Sequence, residues 1–380
     1  LTLRHHPRPE ATRNHAMSTT DYAALIRETA ALIRPLDGEA RARAEAREGR
    51  LTKPPGSLGR LEDLAVRIAG ITGQERPRLD HRVVIVAAGD HGVTAQGVSA
   101  YPSEVTVQMV GNFLAGGAAI NVLAAHAGAR VRIVDAGVAG DTPEHPDLIR
   151  LRLSPGTQDI TRGPAMSRAL AERAIAEGIA IFQAERAAGC DIVALGEMGI
   201  GNTTAAAAII AAATGRPPRA VTGRGTGVDD ARFETKMRAV ERAVEVNRPD
   251  PSDGVGLLAA LGGFEIGVLA GIYLGAAASR VPAVIDGVIS GAAALIAVTV
   301  APEAHPYLIA SHRSAEPGHA ATLEHLRLEP LIDLGMRLGE GSGGALGITL
   351  CVAACRLLDE MATFAEAGVS DSAEAIEPEA

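Results

Sequence analysis

The sequence predicts an α/β protein built on a mostly parallel sheet flanked by helices. Five short apolar runs, at residues 83–88, 131–134, 192–195, 281–285 and 307–310, show no polar–apolar alternation, the pattern of strands buried on both faces. Intervals of several dozen residues separate most of them, enough for crossover helices and, in places, for a further strand.

The elements follow in order. Residues 1–15 are polar and hold no apolar signal-peptide core, so residues 1–20 read as a disordered tail with Met17 as the expected start. Residues 21–50 read as helical, with Ala, Leu, Ile, Arg and Glu at mixed 3.6-type spacing. Pro54, Pro55 and Gly56 stop that region, and a second amphipathic helix follows over 61–71. The apolar runs then alternate with Ala-rich helical stretches. Residues 324–364 return to helix and loop, with glycine punctuation between 339 and 344.

Composition narrows the function. Of 380 residues, 47% are hydrophobic and 21% charged, enough apolar material for a substantial core. Aromatic residues are only 2%, without tryptophan, and the net charge is −9, so neither stacking platforms nor a broadly basic surface for nucleic acid is expected. The three cysteines, Cys190, Cys351 and Cys355, form no CxxC pair, which suits a reducing compartment and offers no zinc framework. Residues 287–302 are uncharged but short of the roughly 20 apolar residues of a membrane span. A soluble cytoplasmic protein is expected. Only two of the 36 basic residues are lysine, Lys53 and Lys236. Under a coding bias toward arginine, a surviving lysine marks a place where a compact ammonium serves and a guanidinium fork does not.

Ligands of open parallel sheets bind beyond the carboxyl ends of the strands. Those ends carry Asp90 and His91, Asp135, Glu197, Asp286, and Ser311 with His312. A lone carboxylate there is a turn former or helix cap; several at equivalent positions favour a site.

Three glycine-rich segments fall in the same zone. In GEMGIGNTT (196–204), Asn202 or Thr203 can cap the following helix, leaving backbone N–H groups and the positive dipole end to an anion. GRGTG (223–227) precedes a helix expected to begin near Asp229 or Asp230, with Lys236 two turns in. Its ammonium either reaches back to an anion at the start of that helix or is solvated at the surface, and spacing does not separate the two. In GEGSGG (339–344) Glu340 stands between glycines, where helix propensity cannot explain it. A partly desolvated carboxylate there suits a general base, and a solvent-facing turn glutamate is the ordinary alternative. His312, Ser314, Glu316 and His319 cluster without a common zinc spacing, and neither HExxH, GxSxG nor a Walker loop occurs.

Together these segments resemble nicotinate-nucleotide–dimethylbenzimidazole phosphoribosyltransferases of cobalamin biosynthesis. The resemblance runs from about residue 53 to 364 through KPPGSLGRLEDLA, GDHGVTAQGVSAYPSEVTVQMV, GGAAINVLA, GEMGIGNTT, GRGTG, SHRSAEPGH and LGEGSGGA. It implies transfer of a phosphoribosyl group from nicotinate mononucleotide to 5,6-dimethylbenzimidazole, with Glu340 as catalytic base and Glu197 supporting the ribose charge. It further implies that Gly199, Gly225, Lys236 and Ser314 hold the 5′-phosphate, that Leu338, Met198, Ser103 and Gln108 line the base pocket, and that Asp286 lies near the ribose. No metal or other cofactor is implied. The implied architecture is a Rossmann-like large domain (76–329), a small helical domain from both chain ends (21–75 plus 330–370), and a homodimer with no nucleic-acid or membrane partner. Two competing readings are a metal-assisted phosphohydrolase using Asp90, His91, Asp286 and His312, and a non-catalytic nucleotide sensor.

Overall fold

The computed structural model describes residues 21–370 apart from residue 226; the tail over 1–20, with Met17, lies outside the described residues. The apolar runs become strands β1 (Arg82–Gly89), β2 (Ala129–Gly137), β4 (Ile192–Met198), β5 (Ala283–Ile285) and β6 (Leu308–Ala310). A sixth strand, β3 (Leu148–Arg150), went unread because three residues at a sheet edge are too short to carry a pattern. All pairings are parallel, in the order β3-β2-β1-β4-β5-β6. The order reverses between β1 and β4, and the crevice beyond that reversal is where doubly wound sheets bind ligands. β5 is shorter than the apolar run because Pro282 has no N–H to give the ladder.

The region read as one helix over 21–50 is two, α1 (Tyr22–Leu32) and α2 (Gly38–Glu48). Pro35 interrupts the hydrogen-bond series, and Asp37 restarts it by accepting the N–H of Ala40 at 2.8 Å. The chain continues through α3 (Arg60–Thr72), α4 (Glu104–Leu114), α5 (Ala119–His126), α6 (Arg168–Ala187), α7 (Asn202–Thr214), α8 (Pro218–Val221) and α9 (Asp230–Asn247). It closes with α10 (Gly254–Leu261), α11 (Phe264–Ala278), α12 (Val288–Val300), α13 (Pro317–His325), α14 (Ser342–Glu360) and α15 (Phe364–Ala367).

Two apolar layers explain why the strands do not alternate. Val83, Ile85, Val193 and Leu195 point into a core shared with α6, α7 and α10 to α12. Their neighbours Val84, Val86, Ile192 and Ala194 point the other way, toward α3, α4, α5 and α14. Each fully buried Val, Leu or Ile contributes about 1.5–3 kcal/mol, so both faces are anchored. α11 is buried from Phe264 to Ala277, hence its lack of a polar face.

Two helical stretches, Glu104–His126 and Ser342–Glu360, have the length and apolar composition to cross a membrane. The first is also a longer uncharged run than 287–302, and it breaks between α4 and α5 at Gly116 and Gly117. The second is α14, whose Ala345, Ile348 and Cys351 pack on the sheet as core.

The two chain ends meet. Leu51 bridges Thr363 in antiparallel fashion, and Arg47 donates to the carbonyls of Leu358 (2.7 Å) and Met361 (3.1 Å). Lys53 fastens this junction from within: its Nζ lies 2.9 Å from Glu48 of α2 and 2.8 Å from Glu62 of α3. Glu62 in turn accepts the N–H groups of Gly56 and Leu58, so the KPPGSLG turn closes around one ammonium. Both lysines of the chain are buried, which for Lys236 rules out the solvated surface alternative.

Removing one member of a buried ionic cluster leaves the others uncompensated. Lys53→Met should therefore lower unfolding stability by about 2–4 kcal/mol, measured by urea denaturation. A loss under about 0.5 kcal/mol, the size of an exposed pair, would contradict this account of the junction.

Candidate active site

Beyond the carboxyl ends of β4 and β5 lies a cavity of about 440 Å³. That volume suits a small organic ligand. One wall is apolar, formed by Val105, Met109, Met198, Ile200, Ile289 and Leu338. The polar groups converge on it from segments far apart in sequence.

Glu340 stands on an unusual turn. Gly339, Glu340 and Gly341 have φ of 86°, 62° and 87°, three consecutive left-handed residues. Glycine takes this conformation freely, whereas a residue with a Cβ pays about 1 kcal/mol or more. Strain of this kind persists only where neighbours enforce it. Asp286, at the end of β5, does so: its two carboxylate oxygens accept the N–H groups of Gly341 (3.1 Å) and Gly344 (3.0 Å), at the start of α14. Gly196 in β4 lets the turn press against the strand, since a Cβ there would collide with the Glu340 backbone. The Glu340 carboxylate is mostly buried and one oxygen accepts the N–H of Ile120, in the first turn of α5, at 3.4 Å. Burial raises its pKa above the ordinary glutamate range, opposed by that N–H.

Glu197, the penultimate residue of β4, accepts a hydrogen bond from the Asn202 amide. Burial, then the charges of Asp286 and Glu265, push its pKa up to about 8. Asp286 is raised to about 7 by burial, while its backbone N–H donors pull the other way. This end of the cavity is thus prepared for positive charge.

The other end is prepared for an anion. α7 begins after Gly201 (φ 95°) with no side-chain cap. Neither residue expected to cap it does so: Asn202 is committed to Glu197, and the Thr203 hydroxyl accepts from Lys236 Nζ at 2.8 Å. Lys236 therefore reaches the start of α7, not of its own helix α9, which Asp229 caps through the N–H of Arg232 at 2.8 Å. Burial lowers its pKa to about 8, with Glu316 opposing. Gly225, Ser314 and Glu316 complete this end. His319 fixes Ser314 by accepting its N–H at 3.0 Å, and burial keeps that imidazole neutral, its pKa down to about 3.

Of the residues selected from sequence, Glu340, Glu197, Met198, Gly199, Gly225, Ser314 and Leu338 line the cavity, and Lys236 reaches its margin through Thr203. Asp286 lies behind the wall, holding the base turn, and not on the cavity surface. Ser103 hydrogen-bonds Thr94 at 3.3 Å and Gln108 is exposed on α4, both outside the lining, whereas Tyr101, Val105 and Met109 from the same segment contribute to it. Arg337 was not anticipated; one arginine in an arginine-rich chain carries no signal. Asp135 proves to be a turn former, accepting from Val138 and Thr142. Three of the four residues of the hydrolase reading have hydrogen-bonded protein partners: Asp90 accepts from Ala139, His91 bonds Glu265 at 2.7 Å, and Asp286 accepts from Gly341 and Gly344; His312 lines the cavity with its Nε2 3.8 Å from Asp286. Among the described residues no three His, Cys, Asp or Glu side chains gather to hold a metal.

Comparison with known proteins gives one family. A model described as phosphoribosyltransferase matches residues 33–369. A nicotinate-nucleotide–dimethylbenzimidazole phosphoribosyltransferase from Roseiflexus sp. (strain RS-1) is 62% identical over 92% of this chain and 99% of its own length. One of the same name from Chloroflexus aggregans is 60% identical over 92% and 99%. The crystal structure of a protein of that name from Thermus thermophilus superposes with a TM-score of 0.84 at 47% identity, covering 89% of this chain and 100% of that one.

Sulfate remains a dianion across the relevant pH range, so its affinity reports the cradle alone. It should bind roughly tenfold more weakly at pH 9.5 than at pH 7, as Lys236 loses its proton near pH 8 and one charge-assisted bond is lost. Calorimetry on Lys236→Met should show weak binding with no such fall. A pH-independent affinity in the unaltered protein would contradict the assignment of this end.

Proposed function

This chain belongs to the phosphoribosyltransferase family matched over residues 33–369, and on that footing we propose that it transfers the phosphoribosyl group of nicotinate mononucleotide to 5,6-dimethylbenzimidazole, a step of cobalamin nucleotide-loop assembly. The observation that carries this reading is the opposition within one cavity of a buried carboxylate on a strained turn and an ammonium-backed anion cradle.

The bond between C1′ and the pyridinium nitrogen breaks and its electron pair stays with the ring. Nicotinate leaves from a cationic ring, so no general acid is required. An acceptor nitrogen forms the new bond on the opposite face of C1′, giving inversion and α-ribazole 5′-phosphate. The proton on the acceptor's other nitrogen passes to the Glu340 carboxylate, whose raised pKa suits it to that task. Glu197 stabilises the positive charge on the ribose as the leaving group departs. The incoming pyridinium favours the ionised form of Glu197, and the phosphate favours the charged form of Lys236. Gly199, Gly225 and Ser314 hold the phosphate with that lysine, and Met198 and Leu338 flank the acceptor ring.

Ser103 and Gln108, outside the cavity wall, have no part in this reading, and Asp286 serves as an anchor of the base turn. The protein works as a cytoplasmic homodimer without nucleic-acid or membrane partners; the exposed apolar Tyr101 and Leu338 on the cavity wall support a second copy close by. Residues 21–75 and 330–370 form a small helical unit beside the larger 76–329 unit, a division supported by the Leu51–Thr363 bridge.

Incubation with both substrates in EDTA, followed by chromatography and mass spectrometry, tests the reaction. Free nicotinate and a product with the mass of α-ribazole phosphate are expected. Nucleotide consumed without base transfer, and only after metal is restored, would replace this reading with hydrolysis.

A further inference from the structure

Resting on that reaction, we propose that Arg337 is a positioning residue that transmits occupancy of the phosphate cradle to the turn carrying Glu340. Gly225 is gripped on both sides of its backbone. Its N–H donates to Glu316 Oε1 at 3.0 Å, and its carbonyl accepts from Arg337 Nη1 at 3.1 Å. The first partner comes from the loop before α13; the second lies three residues before Glu340. Arg337 thus ties the GRGTG loop, which meets the phosphate, to the segment that presents the base.

The two ends of that segment are held differently. Downstream, Asp286 fixes Gly341 and Gly344 from deep within the protein. Upstream, the Met336 carbonyl accepts the N–H of Ala315 at 3.0 Å, and the side-chain tether is an exposed guanidinium on the cavity wall, the one arginine or lysine in that lining among the described residues. Its remaining N–H groups can meet an anion while Nη1 keeps the Gly225 carbonyl, a two-way engagement a single ammonium cannot reproduce. Phosphate arriving beside Gly225 and Ser314 therefore pulls on Arg337 and settles the left-handed turn. Binding energy from a non-reacting group is in this way used to orient the base, and that use appears in kcat.

Loss of a residue that only attracts phosphate would raise KM and leave kcat unchanged. Arg337→Ala is therefore expected to raise KM and lower kcat at least tenfold on nicotinate mononucleotide, and to lower kcat far less on phosphate-free nicotinate riboside. Arg337→Lys should restore KM and not kcat. Amide hydrogen exchange reads the coupling without turnover: sulfate should slow exchange at residues 339–341 in the unaltered protein and not in Arg337→Ala. A rise in KM alone with sulfate protection intact in Arg337→Ala, or no sulfate protection in either protein, would overturn the proposal. Should the unaltered protein form no product at all, the parent reaction fails, and the exchange experiment still decides the tether.

Discussion

Two hydrogen bonds from the amides of Gly341 and Gly344 to the Asp286 carboxylate hold the structure's most demanding conformation. They fasten three successive left-handed residues to the end of β5 and set the start of α14. A hydrogen bond contributes about 0.5–1.5 kcal/mol to a neutral acceptor and about 1.5–3 to an ionised one, so the two together match or exceed the strain of one non-glycine residue in that region. The turn approaches β4 only because Gly196 has no side chain, and the Glu340 carboxylate then meets the first turn of α5. One turn thus draws on two strands and two helices. Each of those elements is rigid on its own account through the two apolar layers.

The site is electrostatically unsatisfied when empty. Burial and neighbouring carboxylates push Glu197 up to about 8, while burial lowers Lys236 to about 8. Burial thus penalises the charged form of each group, at opposite ends of one cavity. A ligand carrying a cationic ring and an anionic phosphate relieves both costs together, and neither half does so alone. The cationic ring also needs no acid to depart, which leaves a single base sufficient for the chemistry.

Much of this was legible in the sequence because the physics is local. Short runs without polar–apolar alternation identified five of the six strands among the described residues, and residues after their carboxyl ends included Glu197 and Asp286. A glutamate between glycines pointed to Glu340, and the rarity of lysine drew attention to Lys53 and Lys236, whose burial only the structure shows. What escaped depends on tertiary placement. The edge strand β3 is too short for a pattern, and Pro35 was outweighed by helix-forming neighbours until the chain had to turn. Asp286 looked like a ligand contact because its strand-end position is shared by residues that do face the cavity. Asn202 and Thr203 looked like caps until Glu197 and Lys236 claimed their side chains. Arg337 is defined only by a carbonyl 112 residues away.

The central claim is that Glu340, held on its strained turn, removes the acceptor's proton. The most direct test is the ratio of kcat/KM for the unaltered enzyme to that for Glu340→Gln, followed against pH with one acceptor, so that the acceptor's own titration cancels. The account predicts a ratio of about 10²–10⁴ at neutral pH. It should fall about tenfold per unit as pH drops below a pKa lying above the ordinary glutamate range. A ratio near one, or one that stays flat through the acid limb, would contradict it.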